Sequence, residues 1–426
     1  MIKIKKLEII FMIVMLILSS GSVLNVLGIN NLIQITLFMV VLIISIKSGF
    51  LKNKNYLTIL ILTLLSVLIL FLFHVANYRE LSNFYNNNNI GIFLLLFTCL
   101  LTGFYFNSKP NFLYYLNSIL FFFTLHGIIS CLIISLFPTQ NALFSSVDEG
   151  ARYVGYFYVF FQRATVNYFG NLDPTFINYF GFPIQRAHGI AWEPGNFSAY
   201  VNIFIFLNLF IFKNRRNVII GVLALVLAWS TIGLLVMLLQ FFYFFIVNFK
   251  NFSKKYIIPK IVIGSLVLYA LVIATMNNLD EKIYGDKSGS GATRFLNTVS
   301  ALHTIYEHPF IGTGFDFQNY TNELDKSFLK SQSLLSSYVD SEKVKSLSST
   351  NSFLRLYVQF GIPIALILTI GLFKQTLIPR YKFIFAVIII VSTSSAPLML
   401  TPFCFLFISS GLLNLVGVKN RYKILL

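Results

Sequence analysis

Three short segments of the sequence carry residues that could do chemistry. The first, Arg186-Ala-His-Gly-Ile-Ala-Trp-Glu-Pro-Gly, places a guanidinium, an imidazole and a carboxylate close together in the chain. Pro194 favours the first turn of a helix, so the Glu193 carboxylate lies beside the start of a predicted helix, next to the aromatic Trp192. Glu193 could cap that helix, form a structural ion pair with Arg186, or act as an acid or base. These residues alone leave the alternatives open.

The second segment is a predicted helix from about Thr293 to Glu307, which ends at Pro309 and is followed by Ile-Gly-Thr-Gly-Phe. Arg294 and His308 share one face of this helix because they are separated by a multiple of seven residues. A solvated helix with a glycine turn explains the pattern without function. Alternatively, the Arg/His face looks back at a membrane site, and the turn of Gly312 and Gly314 presents backbone N–H groups to a phosphate.

The third segment is Ser349-Thr-Asn-Ser-Phe-Leu-Arg, which precedes an apolar stretch. Thr350 is a good N-cap residue, so we expect a helix to begin there. Asn351 follows it directly, and Arg355 lies about one turn inside the predicted helix. Arg355 is therefore a further cation close to the start of a span.

Membrane-spanning helices must position these segments. The sequence is 57% hydrophobic and only 11% charged, whereas soluble domains draw about a quarter of their residues from charged types. Apolar stretches recur from end to end, many of them long enough to span a bilayer. We predict an all-α integral membrane protein, a single polytopic domain over residues 1–426, with about twelve transmembrane helices. The predicted spans are 7–25, 31–46, 56–75, 90–106, 112–137, 195–212, 217–229, 231–248, 257–275, 350–372, 382–397 and 398–416.

The net charge of +17 is distributed along the chain in the way that membrane topology predicts, and not as a surface that binds nucleic acid. Most Lys and Arg residues fall in alternate connections between the predicted spans, where Glu8 is the only acidic residue. The positive-inside rule makes that side cytoplasmic and places both termini inside. The pattern predicts a multi-pass protein of a cytoplasmic membrane and argues against nucleic-acid binding.

Two long connections lie on the opposite, extracytoplasmic side, at about 138–194 and 276–350. Loops of this length are usually functional or disordered, and these are too rich in apolar residues for disorder. The aromatic stretch 151–161 favours a position at the membrane interface, and binding of sugar faces is a less favoured alternative. Ionisable residues at the membrane edge are costly unless paired or used. The edges of these loops are therefore the predicted site.

The sequence indicates neither a metal nor a cofactor. Cys99, Cys131 and Cys404 all fall inside predicted spans, where packing explains them. The chain has no Walker loop and no zinc-binding motif, which argues against nucleotide hydrolysis and metal-assisted chemistry.

The three segments together resemble the O-antigen polymerase and ligase superfamily, membrane glycosyltransferases that act on polyprenyl-pyrophosphate-linked glycans. The resemblance covers roughly residues 180–370 and rests on order, spacing and topology. Its motifs are Arg186-x-x-Gly-x-x-x-Glu-Pro-Gly, Trp229-Ser-Thr-Ile-Gly at the tip of a predicted helical hairpin, Arg294 followed by His308-Pro-Phe-Ile-Gly-Thr-Gly, then Asn351-Ser-Phe-Leu and Gly361-Ile-Pro.

The resemblance implies a GT-C-like membrane fold and attack by a sugar hydroxyl on the anomeric carbon of an undecaprenyl-pyrophosphate-linked glycan. Arg186 and Arg294 are expected to stabilise the departing pyrophosphate without a metal, with Arg355 in reserve, because the paired N–H donors of arginine match phosphate oxygens. The expected acceptor of the hydroxyl proton is Glu193, with His308 second. The residues expected to contact the substrate are Arg186, Arg294, Arg355, Trp192, Gly312, Gly314 and Asn351.

Two departures from the family pattern bear on the activity. Many relatives, especially ligases, carry a His where this sequence has Thr350, and an Arg often follows the Ser of the hairpin tip, which Thr231 replaces here. The missing His favours a polymerase that joins repeat units of O-antigen, capsule or another surface polysaccharide. A ligase that transfers finished glycan to lipid or protein is the alternative, and a flippase or transporter of the lipid-linked glycan is another. A chain-length regulator and a flippase are possible partners of a polymerase.

Overall fold

Helices dominate the computed structural model of the chain. The described helices, numbered in chain order, are α1 Ile2–Ser19, α2 Asn30–Lys47, α3 Phe112–Leu136, α4 Pro194–Phe206 with a π-helical turn Leu207–Ile211, α5 Arg215–Ala228, α6 Thr231–Asn248, α7 Ser288–Glu307, α8 Ser352–Lys374, α9 Lys382–Thr393 and α10 Pro402–Leu415. The structure describes residues 2–19, 30–47, 61, 98, 101–103, 105–106, 109, 111–136, 142–145, 151–156, 160–166, 172–173, 176–179, 182–191, 193–248, 269, 273, 288–314, 351–394, 396, 398–399 and 401–415.

The described helices agree with the predicted membrane protein. By length and composition, four of the described segments could cross a membrane, namely Phe112–Leu136, Pro194–Ile211, Thr231–Asn248 and Ser352–Lys374. The last of these is divided by a kink at Gly361. Helices α1, α2, α5, α9 and α10 also overlap predicted spans. The spans 56–75 and 257–275, and most of 90–106, lie outside the described residues, so the total of about twelve stays a prediction. The chain is a mostly helical, multi-pass membrane protein.

The loop predicted at 138–194 contains β-structure, so the prediction of an all-α chain was wrong there. Strands β1 Ala142–Ser145, β2 Ala151–Tyr156, β3 Phe160–Val166 and β4 Leu172–Asp173 form an antiparallel sheet in the order β1-β2-β3-β4. Strands β5 Phe176–Tyr179 and β6 Phe182–Gln185 form a separate antiparallel pair. Aromatic and β-branched residues are those favoured in strands, and the interpretation of 151–161 as an interfacial stretch overlooked that preference.

Helix α4 lies at the centre of the described bundle. Every residue from Asn196 to Phe206 is buried, because α3, α5, α6 and α9 all pack against this helix. The residue at its start, Glu193, is therefore carried by the most enclosed helix of the described structure.

The hairpin predicted around Ser230 is present. Helix α5 ends at Ala228 and α6 begins at Thr231, so Trp229 and Ser230 alone connect them. Both helices pack on α4. The hairpin tip is thereby presented to the start of α4, where the first of the three segments lies.

Candidate active site

The chain approaches Arg186 along a track held by α3. The Cys131 thiol donates to the carbonyl of Gln185 over 2.8 Å, and the backbone N–H of Gln185 donates to Ser135 Oγ over 2.8 Å. A Cβ atom at Gly189 would lie 2.8 Å from His126 Nδ1, so the chain beyond Arg186 also packs tightly on α3. These contacts with α3 fix the position of the backbone at Arg186.

The Arg186 side chain binds the hairpin tip through two hydrogen bonds. Its Nε donates to the carbonyl of Ala228 over 3.0 Å and its Nη2 to that of Trp229 over 2.9 Å. The N–H of Ala187 donates to Leu227 O over 2.9 Å. The guanidinium thus satisfies carbonyls at the C-terminal end of α5, where the helix dipole also favours a cation. The side-on Nε/Nη2 pair, which matches a phosphate best, is occupied by these carbonyls.

The backbone conformation of Trp229 explains why the hairpin tip needs a hydrogen-bond donor such as Arg186. It adopts the left-handed conformation, with φ 47° and ψ 46°, which costs a residue with a side chain about 1–2 kcal/mol. Positive φ at a bulky residue is unusual and persists only where the surroundings impose it. The hydrogen bond from Arg186 to the Trp229 carbonyl stabilises this turn.

Glu193 has no structural engagement of its side chain among the described residues. It occupies the N-cap position of α4, with Pro194 following, but its side chain makes no capping hydrogen bond. No ion pair joins it to Arg186 or to any other described residue. The capping and ion-pair explanations are therefore unsupported, and a half-buried carboxylate at a helix start is left available to accept a proton.

Polar side chains within the bundle hold the hairpin against α4. Ser198 Oγ donates to Ser230 Oγ over 3.2 Å. Asn202 Nδ2 donates to Gly233 O over 3.0 Å, and Gln240 Nε2 donates to Asn202 Oδ1 over 2.9 Å. A Cβ atom at Gly233 would lie 2.6 Å from Ser198 Cβ, so the helices meet at close range. Such small and polar residues are typical of helix contacts in membranes.

A second cluster joins the end of α7 to a kink in α8. Gly361 adopts φ 71° and ψ 167° inside α8, and Pro363 follows. Proline has no N–H for the carbonyl of Gln359, and the N–H of Ile362 donates instead to Pro309 O over 2.7 Å. The two carbonyls released by the kink accept from the glycine loop, Val358 O from Thr313 N over 2.8 Å and Gln359 O from Gly314 N over 3.1 Å.

The glycines of this cluster are required by close approach of the two backbones. Gly312 has φ 74°, and a Cβ atom there would overlap Val358 O. A Cβ atom at Gly361 would overlap Phe310 O in the same way. The N–H groups of Gly312 and Gly314 donate to His308 O and Gln359 O. The glycine motif therefore has a structural explanation, and phosphate binding by Gly312 and Gly314 stays a prediction without support from these contacts.

The kink folds the N-terminal part of α8 back on the rest. Tyr357 OH lies 3.0 Å from Thr369 Oγ1, although twelve residues of continuous helix would separate their backbones by about 18 Å. Side chains of this size cannot bridge that distance. Residues 352–360 are thus a separate half-helix, and Ser352 Oγ anchors its start by donating to Ala396 O over 2.6 Å.

The remaining predicted site residues differ in the hydrogen bonds that their side chains make. Asn351, not Thr350, caps α8, since its Oδ1 accepts from Leu354 N over 3.1 Å. Arg355 Nε donates to Gln359 Oε1 over 3.2 Å. The half-buried Arg294 makes no side-chain hydrogen bond or ion pair with any described residue, and its carbonyl accepts from Thr298. Thr350 and Trp192 lie outside the described residues.

The sequence analysis did not predict several buried polar residues that support the hairpin. Ser198, Asn202 and Gln240 are buried polar residues inside apolar spans. Ser198 and Asn202 are four residues apart, the spacing that places two side chains on one helix face, and this signal was available in the sequence. Among the described residues, no group of three or more His, Cys, Asp or Glu side chains is placed to share a metal ion.

The fold and the site define a multi-pass membrane protein with polar segments gathered at helix ends. Residues 217–369 match the family model described as O-Antigen ligase, and this match confirms the resemblance to the O-antigen polymerase and ligase superfamily. The matched region covers the hairpin, α7, the glycine loop and the kink, and it begins after Arg186 and Glu193. No curated protein and no solved structure matches the chain significantly.

Proposed function

We propose that this protein is a polymerase that joins undecaprenyl-pyrophosphate-linked repeat units into a surface polysaccharide at the outer face of the bacterial cytoplasmic membrane. The family match supports glycosyl transfer of the O-antigen type. The single observation that carries the site is the Glu193 carboxylate, which lies at a helix start with no partner among the described residues. In this proposal Glu193 accepts the proton of the attacking sugar hydroxyl.

The three arginines then take different roles. Arg186 positions the hairpin tip beside Glu193, since its side-on donors bind backbone carbonyls. Arg294 is the first candidate to stabilise the departing pyrophosphate, because its guanidinium is uncommitted among the described residues. Arg355 supports it from the N-terminal part of α8. His308 stays the second candidate for the base.

In the reaction, the acceptor hydroxyl oxygen forms a bond to the anomeric carbon of the donor glycan. The bond from that carbon to the pyrophosphate oxygen breaks, and undecaprenyl pyrophosphate leaves with the bonding electrons. The hydroxyl proton passes to Glu193. Guanidinium donors directed at the leaving group stabilise the charge that grows on it in the transition state.

A ligase is the second candidate, because the matching family model carries that description. A ligase would run the same bond exchange with a different acceptor. Thr350, which stands where many ligases carry His, supports the polymerase instead.

Deletion of the gene and complementation with variants separates these activities. The surface glycan, analysed on a gel, should show single repeat units on its normal acceptor in the deletion strain. Wild-type protein should restore the ladder, Glu193→Gln should not, and the control Glu307→Gln, which removes an exposed carboxylate from α7, should.

Other outcomes contradict the polymerase. Full-length polymer that accumulates on the lipid carrier means a ligase. Lipid-linked units that accumulate on the cytoplasmic face mean a flippase or transporter. A complete ladder with Glu193→Gln removes that residue from the mechanism whichever activity holds.

A further inference from the structure

Helix α7 has the reverse of the polarity expected for a helix that faces water. Its buried side carries polar side chains, since Asn297, Ser300 and Thr304 are all buried. Its exposed side carries large apolar ones, with Leu302 53% and Tyr306 82% exposed. At 3.6 residues per turn the two sets fall on opposite sides of the helix. A helix in water places its apolar side inward.

The apolar side continues beyond the helix. Phe310, four residues after Tyr306 in the following loop, is 76% exposed. The carbonyl of its neighbour Pro309 accepts from Ile362 N, so the loop abuts α8 at its kink. Ile362, Leu366 and Ile370 are exposed along the apolar part of α8 that follows the kink, which lies within the predicted span 350–372. The exposed apolar surface of α7 thus joins the surface that α8 presents to lipid.

We infer that α7 lies at the membrane interface, with Leu302, Tyr306 and Phe310 among the lipid chains and its polar side against the protein. Lipid is the occupant because this surface adjoins the exposed apolar side of α8 at the Ile362–Pro309 hydrogen bond, within a predicted membrane span. Aromatic residues at such positions are typical of membrane interfaces. The sequence left open that α7 is a solvated helix, and this inference places it at the bilayer surface instead.

The orientation has a consequence that rests on the proposed function. Arg294 is half-buried and shares a face of α7 with the buried Ala301, so an interfacial helix would hold its guanidinium close to the depth of lipid headgroups. The pyrophosphate of a polyprenyl carrier lies at that depth. Arg294 would then meet the donor without lifting it from the membrane.

Spin labels in lipid nanodiscs test the position directly, without any activity measurement. Cys99, Cys131 and Cys404 are replaced by Ser, and single Cys residues are introduced by Leu302→Cys, Tyr306→Cys or Phe310→Cys. Labels at these positions should collide more with oxygen, which is enriched in lipid, than with a water-soluble nickel complex. Glu307→Cys, on the adjacent face, and Arg216→Cys, an exposed basic position, are controls in which the nickel complex should prevail.

Two results overturn the inference. Greater access of the nickel complex at 302, 306 and 310 would put the helix in water. Poor access of both reagents would mean that protein covers the stripe. If the cysteine-free variant does not fold, a photoreactive benzophenone residue at 306 in the otherwise native chain should crosslink to lipid, and crosslinks to protein alone would contradict the inference. This experiment does not depend on catalysis. The proposed function could therefore be wrong while the inference about α7 holds, or the reverse.

Discussion

Two carboxylates, one in α1 and one at the start of α4, show how differently the same side chain can be used. Glu8, in α1, is buried, accepts a hydrogen bond from Tyr105 OH and lies 3.1 Å from Lys109 Nζ. The Lys109 ammonium also lies 4.5 Å from the centre of the Tyr105 ring. Glu193, at the start of α4, is half-buried and its side chain has no partner among the described residues.

The difference in contacts distinguishes a carboxylate with a structural role, Glu8, from one whose side chain is not used by the described structure, Glu193. Glu8 is compensated by a cation and a hydroxyl, which is what a buried charge requires. Glu193 sits where a helix start favours negative charge, but nothing described consumes its hydrogen-bonding capacity. Removal of Glu8 contacts should therefore change stability, and removal of Glu193 should change chemistry.

Lys109→Met should have the largest effect on stability, because it leaves Glu8 buried without its cation. Breaking a fully buried pair costs about 3–5 kcal/mol, and partial exposure of Lys109 reduces the expected loss to about 2 kcal/mol. Thermal unfolding can be followed with a thiol-reactive dye, since Cys131 and Cys404 are buried and free. Glu193→Gln, the matched control, should alter the free energy of unfolding by less than about 0.5 kcal/mol. Equal losses in both variants would remove the distinction.

Arg186→Lys should have a smaller effect on stability and sharpens the comparison at the outer site. Lysine keeps the charge but cannot donate from two positions to Ala228 O and Trp229 O at once. We expect a loss of about 1–2 kcal/mol in the same unfolding assay. Activity per folded molecule should fall less than in Glu193→Gln. A stable Arg186→Lys protein with no activity would instead assign Arg186 directly to the substrate.

Ser198→Ala should have the smallest effect. The change removes the contact with Ser230 Oγ and the hydrogen bond to Gly195 O within the first turn of α4. Hydrogen bonds between helices in membranes contribute about 0.6 kcal/mol on average. The turn is still held by Arg186, so glycan transfer should continue at a rate close to that of the wild type. A large loss of transfer without a loss of stability would give Ser198 a role in the site that its contacts do not indicate.

Hydrophobic length predicted the helices well, because a bilayer imposes about 20 apolar residues on each span. The sheet of β1 to β4 was missed, since aromatic residues suit both a strand and a membrane interface. The start of α7 was also missed: the helix was predicted from about Thr293, yet it begins at Ser288, within a Ser-Gly-Ser-Gly stretch. Glycine is a poor helix former in isolation, and the surrounding structure can override that preference.

The site was predictable as a set of segments but not as a set of roles. In the structure, Arg186 binds the hairpin tip and the loop after α7 meets Gly361, contacts that the order of the motifs did not predict. Sequence could not show that Arg186 binds carbonyls or that the N–H groups of Thr313 and Gly314 serve the kink. Those roles depend on which backbone groups the fold leaves without partners, and that is a property of packing between distant segments.

The most direct test of Glu193 is the rate at which purified protein releases the lipid carrier. Wild-type protein and Glu193→Gln, each in nanodiscs, would be given the lipid-linked repeat unit isolated from the deletion strain. Loss of a general base should lower kcat by at least about 100-fold with little change in KM or unfolding temperature. A kcat within a few-fold of the wild-type value would contradict the account, and the unengaged carboxylate would then have no part in the chemistry.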